Sequence, residues 1–211
     1  MVKLIKQKMR AFCSKSRRKK VVQQLNEENH LEKCSIICSN CIGAILLHDL
    51  HLRFDSPTVN LWFEAADFVE FVENLEHYLS VPLTQVQMDT KLGYPVGYLE
   101  GKVKIYFQHF TSPEQAVEKW EARKKRVDID NLFLICTDRD GMTKELLERY
   151  LQLPHKKIIF VSHKDMVLGE ECIYVPGFEN EASLPDMSSW ADCKGHRYYE
   201  KYFDIVGWLN K

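Results

Sequence analysis

The chain has 211 residues, of which 45% are hydrophobic and 28% charged, enough for one ordinary globular core. Its formal net charge of −1 hides an asymmetry: residues 1–20 carry nine Lys or Arg and no acid, so the remainder carries −10. A fold built to hold nucleic acid would spread its positive charge over the body, so no nucleic-acid partner is expected. Neither a transmembrane run nor a secretory leader is legible. Seven cysteines, several inside apolar runs, read as reduced thiols of a cytoplasmic protein.

Two segments are expected, a basic amphipathic piece over 1–31 and an α/β domain over 32–211. In the first, Leu4, Ile5, Met9 and Phe12 interleave with Lys3, Lys6, Lys8 and Arg10, ahead of Arg17-Arg18-Lys19-Lys20. As a helix this is either a solvated basic face or a peripheral contact with the inner membrane surface through residues 1–20.

The second segment opens on Ser35-Ile36-Ile37, then Cys38-Ser39-Asn40-Cys41-Ile42-Gly43-Ala44, then Ile45-Leu46-Leu47. That is strand, tight turn and helix, and the carboxyl end of such a strand is where open α/β sheets bind ligands. Thr58–Phe63 reads as a second strand after the turn Asp55-Ser56-Pro57. Asp67 with Glu70 resembles a capping box for the helix that follows. Gly93–Gly97 is rich in turn residues, and Tyr98-Leu99 with Lys102–Phe107 fits a hairpin. Ser112-Pro113 starts a helix that carries Trp120 inward, with Arg123 on the same stripe. Apolar runs over 131–136, 157–161 and 172–175 are buried strands, with a helix around Leu146–Leu151 between the first two. Strands alternating with helices give a single domain: a largely parallel open sheet, helices on both faces, one hairpin, Rossmann-like.

Several strand ends finish in reactive or small polar residues. Asp138 and Asp140, flanking Arg139 at the end of an apolar strand, fit a Mg²⁺ or Mn²⁺ pair facing a diphosphate, or plain turn chemistry. His109 and His163 each end a strand and are candidate bases, as well as candidate hydrogen-bonded rim residues. Arg123 and Arg126, three apart on a helix, can reach one anion. Ser39, Asn40, Cys41 and Gly43 form the candidate ligand turn. Cys41 at a helix N-terminus would carry a lowered pKa and could act as a nucleophile; the plain alternative is a small packed thiol.

Ser39-Asn40-Cys41-Ile42-Gly43, Ser56-Pro57, Tyr94-Pro95-Val96-Gly97, His109, Trp120–Arg126 and Asp138-Arg139-Asp140-Gly141 occur in that order. From about Glu32 to Trp208 the set resembles a bacterial family of uncharacterised proteins commonly labelled exopolysaccharide biosynthesis proteins. It departs from that pattern at Ala44, where the family has a second glycine. The resemblance implies a role in surface or exopolysaccharide assembly. With the residues above, the expectation is a transferase moving a sugar from a nucleotide donor to a lipid-linked or glycan acceptor. Ser39, Asn40 and the helix start would face donor phosphate, Arg123 and Arg126 would clamp it, Asp138 and Asp140 would hold any metal, and His109 or His163 would be the base. Two alternatives stay open: a hydrolase or acyl transferase using Ser39 or Cys41 with His163, and a non-catalytic subunit of an assembly complex.

Overall fold

The computed structural model describes residues 2–211, with side chains from residue 12 onward. The membrane-facing reading of Leu4, Ile5 and Met9 lies outside the described side chains. Among the described residues no helix is long and apolar enough to cross a membrane.

The centre is a four-stranded parallel sheet: β1 (Ser35–Cys38), β5 (Leu132–Thr137), β6 (Lys156–Val161) and β7 (Cys172–Tyr174), in that spatial order. Parallel strands covered on both faces read as continuous apolar runs, which is why all four are legible in the sequence. Ile37, Leu134, Cys136, Ile159 and Val161 point into one core, and Ile36, Cys38, Phe133, Ile135, Ile158 and Phe160 into the other. The first core is closed by α3 (Ala65–Glu73), α4 (Leu75–Ser80), α5 (Pro113–Lys124) and α6 (Lys144–Leu151). The second is closed by α2 (Ile42–Asp49), α8 (Ile205–Leu209) and the segment through Leu184 and Met187.

A second sheet packs on the first core. It is antiparallel, ordered β2 (Leu83–Asp89), β3 (Tyr94–Leu99), β4 (Val103–Tyr106). The expected hairpin is its β3–β4 pair, in register at Leu99–Val103 and Val96–Tyr106. The turn-rich stretch Tyr94–Gly97 is itself strand. Pro95 lacks an N–H and so returns no bond to Phe107, but its carbonyl still accepts the Phe107 N–H at 2.9 Å, and the β4 ladder ends there, at Tyr106. The expected strand over Thr58–Phe63 does not form. Asn60 takes a left-handed φ of 67°, and only Trp62 makes a bridge, to Tyr106. The segment works instead as a seam along the β1 edge. Thr58 Oγ1 accepts the Cys38 N–H (3.0 Å), Ser39 O accepts the Phe63 N–H (3.1 Å) and Ser35 Oγ donates to Asp55 O (2.7 Å). Edge groups that would otherwise lie open are thereby paired.

Helix starts are partly as the sequence implies. Ser112 caps α5, its side chain accepting from the Gln115 N–H, with Pro113 in the first turn. The capping box expected at Asp67 and Glu70 is absent, because α3 begins two residues earlier, at Ala65. Asp67 Oδ1 accepts the Lys104 N–H of β4 instead (3.2 Å).

The long helix α1 (Val2–Glu28) is docked by its second half. Arg18 bonds Glu200 through both terminal nitrogens and also pairs with Asp49, while Asn26 Nδ2 donates to Asp49 O at 2.7 Å. Glu200 belongs to α7 (Tyr198–Tyr202), so α1 ties α2 to the C-terminal elements.

Gly43 sets how closely α2 approaches β1. A Cβ there would lie 2.9 Å from Cys38 Cβ and 3.0 Å from Ile36 Cγ2, with the strand behind them unable to give way. Gly43→Ala is therefore expected to destabilise by about 1–2 kcal/mol in urea titration, overpacking outweighing the gain in helix propensity. An unchanged midpoint would contradict this packing.

Candidate functional site

β1 and β5 are adjacent, yet the helices that follow them leave to opposite faces: α2 packs on one core and α6 on the other. Chains diverging in this way open a crevice at the carboxyl ends of the two strands. A cleft of about 530 Å³ lies there, lined by Asn40 and Cys41 after β1, Arg139 and Asp140 after β5, Trp62 from the seam, His109 after β4, and by Tyr94, Asp186 and Ser188.

Asn40 staples the two strand ends. Its Nδ2 donates to Thr137 Oγ1 at 3.1 Å and its Oδ1 accepts the Ile42 N–H at 3.2 Å, opening α2. The helix N-terminus is thus partly spent inside the protein. The N–H groups of Asn40, Gly43 and Ile42 also favour charge on the Cys38 sulfur, but burial outweighs them and pushes that thiol up to about 12. Ser39 is buried. Neither it nor Gly43 lines the cleft, and Gly43 serves the helix–strand contact described above.

The lowered pKa expected for Cys41 is reversed. Burial, with the charge of Asp186 adding and Arg139 opposing, pushes its thiol up to about 11. Desolvation of a thiolate wins over the short helix behind it.

Asp138 and Asp140 separate. Asp138 is buried, and both its oxygens are taken: Oδ2 accepts the Ser162 N–H (2.7 Å) and hydroxyl (2.5 Å), and Oδ1 accepts the Leu184 N–H (2.9 Å). The carboxylate therefore joins β5, β6 and the segment beyond β7, and the pair does not fit a resident divalent ion. Among the described residues no three His, Cys, Asp or Glu side chains gather as a metal site. Asp140 is the member that lines the cleft. Its backbone is left-handed (φ 59°), a conformation Asp tolerates better than most residues, and its carbonyl accepts the Ala65 N–H at 2.8 Å. Burial raises its carboxyl pKa. The neighbouring Arg139 guanidinium, 4.0 Å away, opposes this and Glu64 adds to it.

The two histidines also part. His109 is exposed on the cleft rim. His163 is not among the cleft residues. Its Nδ1 lies 2.7 Å from Ser162 Oγ. The serine proton is directed at Asp138, so the contact is satisfied with Nδ1–H donating to the serine oxygen.

Arg123 and Arg126 face the seam rather than the cleft. Arg126 bonds Asp55 Oδ1 (3.0 Å), Phe54 O (2.7 Å) and Ala122 O (3.0 Å), and Arg123 Nη1 bonds Val59 O (3.1 Å). Their guanidiniums hold backbone carbonyls of the seam. The arginine in the cleft is Arg139, which sequence reasoning passed over although it stands between the two carboxylates. Trp62 was missed as well, being read as a strand residue. Its ring stacks on Tyr106 (centroids 3.9 Å, 8° between planes) and its Nε1 donates to Tyr94 Oη at 3.3 Å. Asp186 and Ser188 arrive from a segment with no periodic signal.

Residues 10–210 match the family model described as "Domain of unknown function (DUF1919)". The chain is 37% identical over 204 residues to an uncharacterized protein of Haemophilus influenzae, an alignment covering 97% of each.

Proposed function

The chain belongs to the DUF1919 family, and from that premise we propose that its cleft takes a nucleotide-linked sugar and that the protein is a glycosyltransferase of surface or exopolysaccharide assembly. One observation carries the reading. An anion-pairing guanidinium (Arg139), a half-buried indole (Trp62) and two proton-transfer groups (His109 and Asp140) converge on one crevice at the strand carboxyl ends. A diphosphate suits the forked donors of Arg139. A nucleobase suits the face of Trp62. His109 and Asp140 supply bases for an acceptor hydroxyl. In such a transfer the acceptor O–H proton goes to the base, a new bond forms from that oxygen to the sugar's anomeric carbon, and the nucleoside diphosphate leaves with the electron pair of the bond it gives up.

The alternative with a thiol or serine nucleophile is disfavoured by the raised Cys41 pKa and by the burial of Ser39. The test is a thermal-shift and calorimetric screen against nucleotide sugars, with and without Mg²⁺ or Mn²⁺. A ligand present at about a hundred times its Kd stabilises the fold by about 2.7 kcal/mol, or roughly 5–10 °C for a chain of this size. Arg139→Ala should weaken such binding at least about tenfold. Silence across the panel, from folded protein, would leave the non-catalytic assembly subunit as the better reading.

A further inference from the structure

Beyond the cleft, the outward face of the three-stranded sheet carries a row of rings. Along β3, Tyr94, Val96 and Tyr98 face one way. Gly97 and Leu99 face the core, where a Cβ on Gly97 would meet Val86, Leu83 and Phe107. Opposite them on β4, Tyr106 pairs with Val96 and Lys104 with Tyr98, and Trp62 extends the row through its bridge to Tyr106. Tyr106 and Val96 are buried within the row, Tyr106 by the Trp62 stack and by Lys104 Nζ 4.5 Å over its ring, while polar atoms sit at the edges: Tyr106 Oη donates to Glu64 Oε1 at 2.5 Å and Trp62 Nε1 bonds Tyr94. Trp62, Tyr94 and Tyr98 stay half-exposed, and the first two also line the cleft, so platform and cleft are one continuous surface. Tyr94 and Tyr98 lie roughly 13 Å apart along the strand.

We propose that this face is a platform for a neutral oligosaccharide, the acceptor glycan of the transfer reaction, and the proposal rests on the transferase reading. Ring faces that are only half bare, with polar atoms at their edges, suit a ligand that is apolar on its C–H faces and hydrogen-bonding at its rim, which describes a pyranose. A stable protein partner would bury about 800 Å² on this side, more than three half-exposed rings supply without further exposed aliphatic side chains on their face. Those of this sheet are Met88, which pairs with Pro95 on the opposite parity, and Leu92, in the β2–β3 turn. A single-stranded nucleic acid also stacks on rings, but it needs a positive track. Here the one cation of the row, Lys104, is engaged with Tyr106, and the chain beyond residue 20 carries −10.

The experiment is calorimetry of the full chain against cellohexaose, maltohexaose and chitohexaose, with UDP and oligo(dT) titrated separately. At least one neutral hexasaccharide should bind. Tyr98→Ala should weaken it about tenfold, while Tyr98→Phe, which keeps the ring, stays within about twofold. UDP affinity should be unmoved by Tyr98→Ala, since Tyr98 lies outside the cleft. A Tyr98-dependent hexasaccharide with no nucleotide binding would uphold the platform and remove the donor reading. Absence of binding by all three hexasaccharides to folded protein, indifference to Tyr98→Ala, or capture of oligo(dT) in their place would overturn the platform.

Discussion

Replacing Arg18 with alanine is expected to destabilise the protein by about 3–5 kcal/mol, the usual consequence of leaving buried carboxylates without their cation. Arg18 is 11% exposed and its two partners, Asp49 and Glu200, 7% and 4%. Both terminal nitrogens are used: one bonds Glu200 Oε2 and Gly195 O, the other Glu200 Oε1 and Asp49. Arg197 stands nearby, its Nε 3.5 Å from Asp49 and its guanidinium over the Trp190 ring, so Asp49 keeps one neighbouring cation while Glu200 loses both bonds of its pair. In a chain of this size the loss corresponds to a melting point lower by on the order of 10 °C. Lys19→Ala, at the exposed next position, should stay within about 0.5 kcal/mol. Equal effects of the two replacements would refute the buried cluster.

The same cluster has a pH signature. Burial works against the charge of Asp49, yet the hydrogen bond and charge of Arg18, with His48 and Arg197, hold its pKa below the ordinary carboxylate value. In the interval between the folded and unfolded values the unfolded chain binds more protons. The stabilisation is thus fully present above the unfolded pKa and is lost as pH falls through the folded one. Arg18→Ala removes the cause of that depression, so the stability gap between variant and parent should narrow on acidification. Urea midpoints at neutral pH and near pH 3 measure it.

What the sequence disclosed follows from which groups announce themselves locally. The strands of the parallel sheet are apolar on both sides, and Ser112-Pro113 caps α5 by chemistry confined to a few residues, so both are readable from short windows. Arg17-Arg18-Lys19-Lys20 looks like one solvated run, because nothing within the helix reveals that Asp49 and Glu200 wait for Arg18 alone. β2 is half-exposed, rich in Thr and Gln, and kinked by Gln85 at φ 51°, so its alternation is blurred. The carboxyl ends of β1 and β5 were recognised as the place for a ligand, and Asn40, Cys41, His109 and Asp140 do meet there. The assignment of roles failed where it depended on direction. A three-residue Asp-Arg-Asp pattern does not reveal which side chain turns inward, and a helix stripe does not reveal that Arg123 and Arg126 serve carbonyls of the seam beside β1.

Asp138 separates the two kinds of reading most sharply. A cleft metal ligand or base would be replaceable by Asn with the fold intact and the metal response gone. The buried geometry instead expects Asp138→Asn to destabilise by about 2–4 kcal/mol, because an amide set among the N–H of Ser162, its hydroxyl and the N–H of Leu184 must turn its own donors toward one of them. Asp138→Ala strands all three and should cost more. The damage should be local first: hydrogen exchange is expected to quicken at Ser162 and Leu184 while the β1 amides keep their protection. Asp140→Asn, in the cleft and free of such bonds, should leave the melting point within about 2 °C and act on ligand binding alone. If Asp138→Asn melted with the parent and Asp140→Asn did not, the structural carboxylate would be Asp140 and not Asp138. A strand-end carboxylate spent on three buried donors joins β5, β6 and the segment beyond β7, and it is the residue two positions on that lines the cleft.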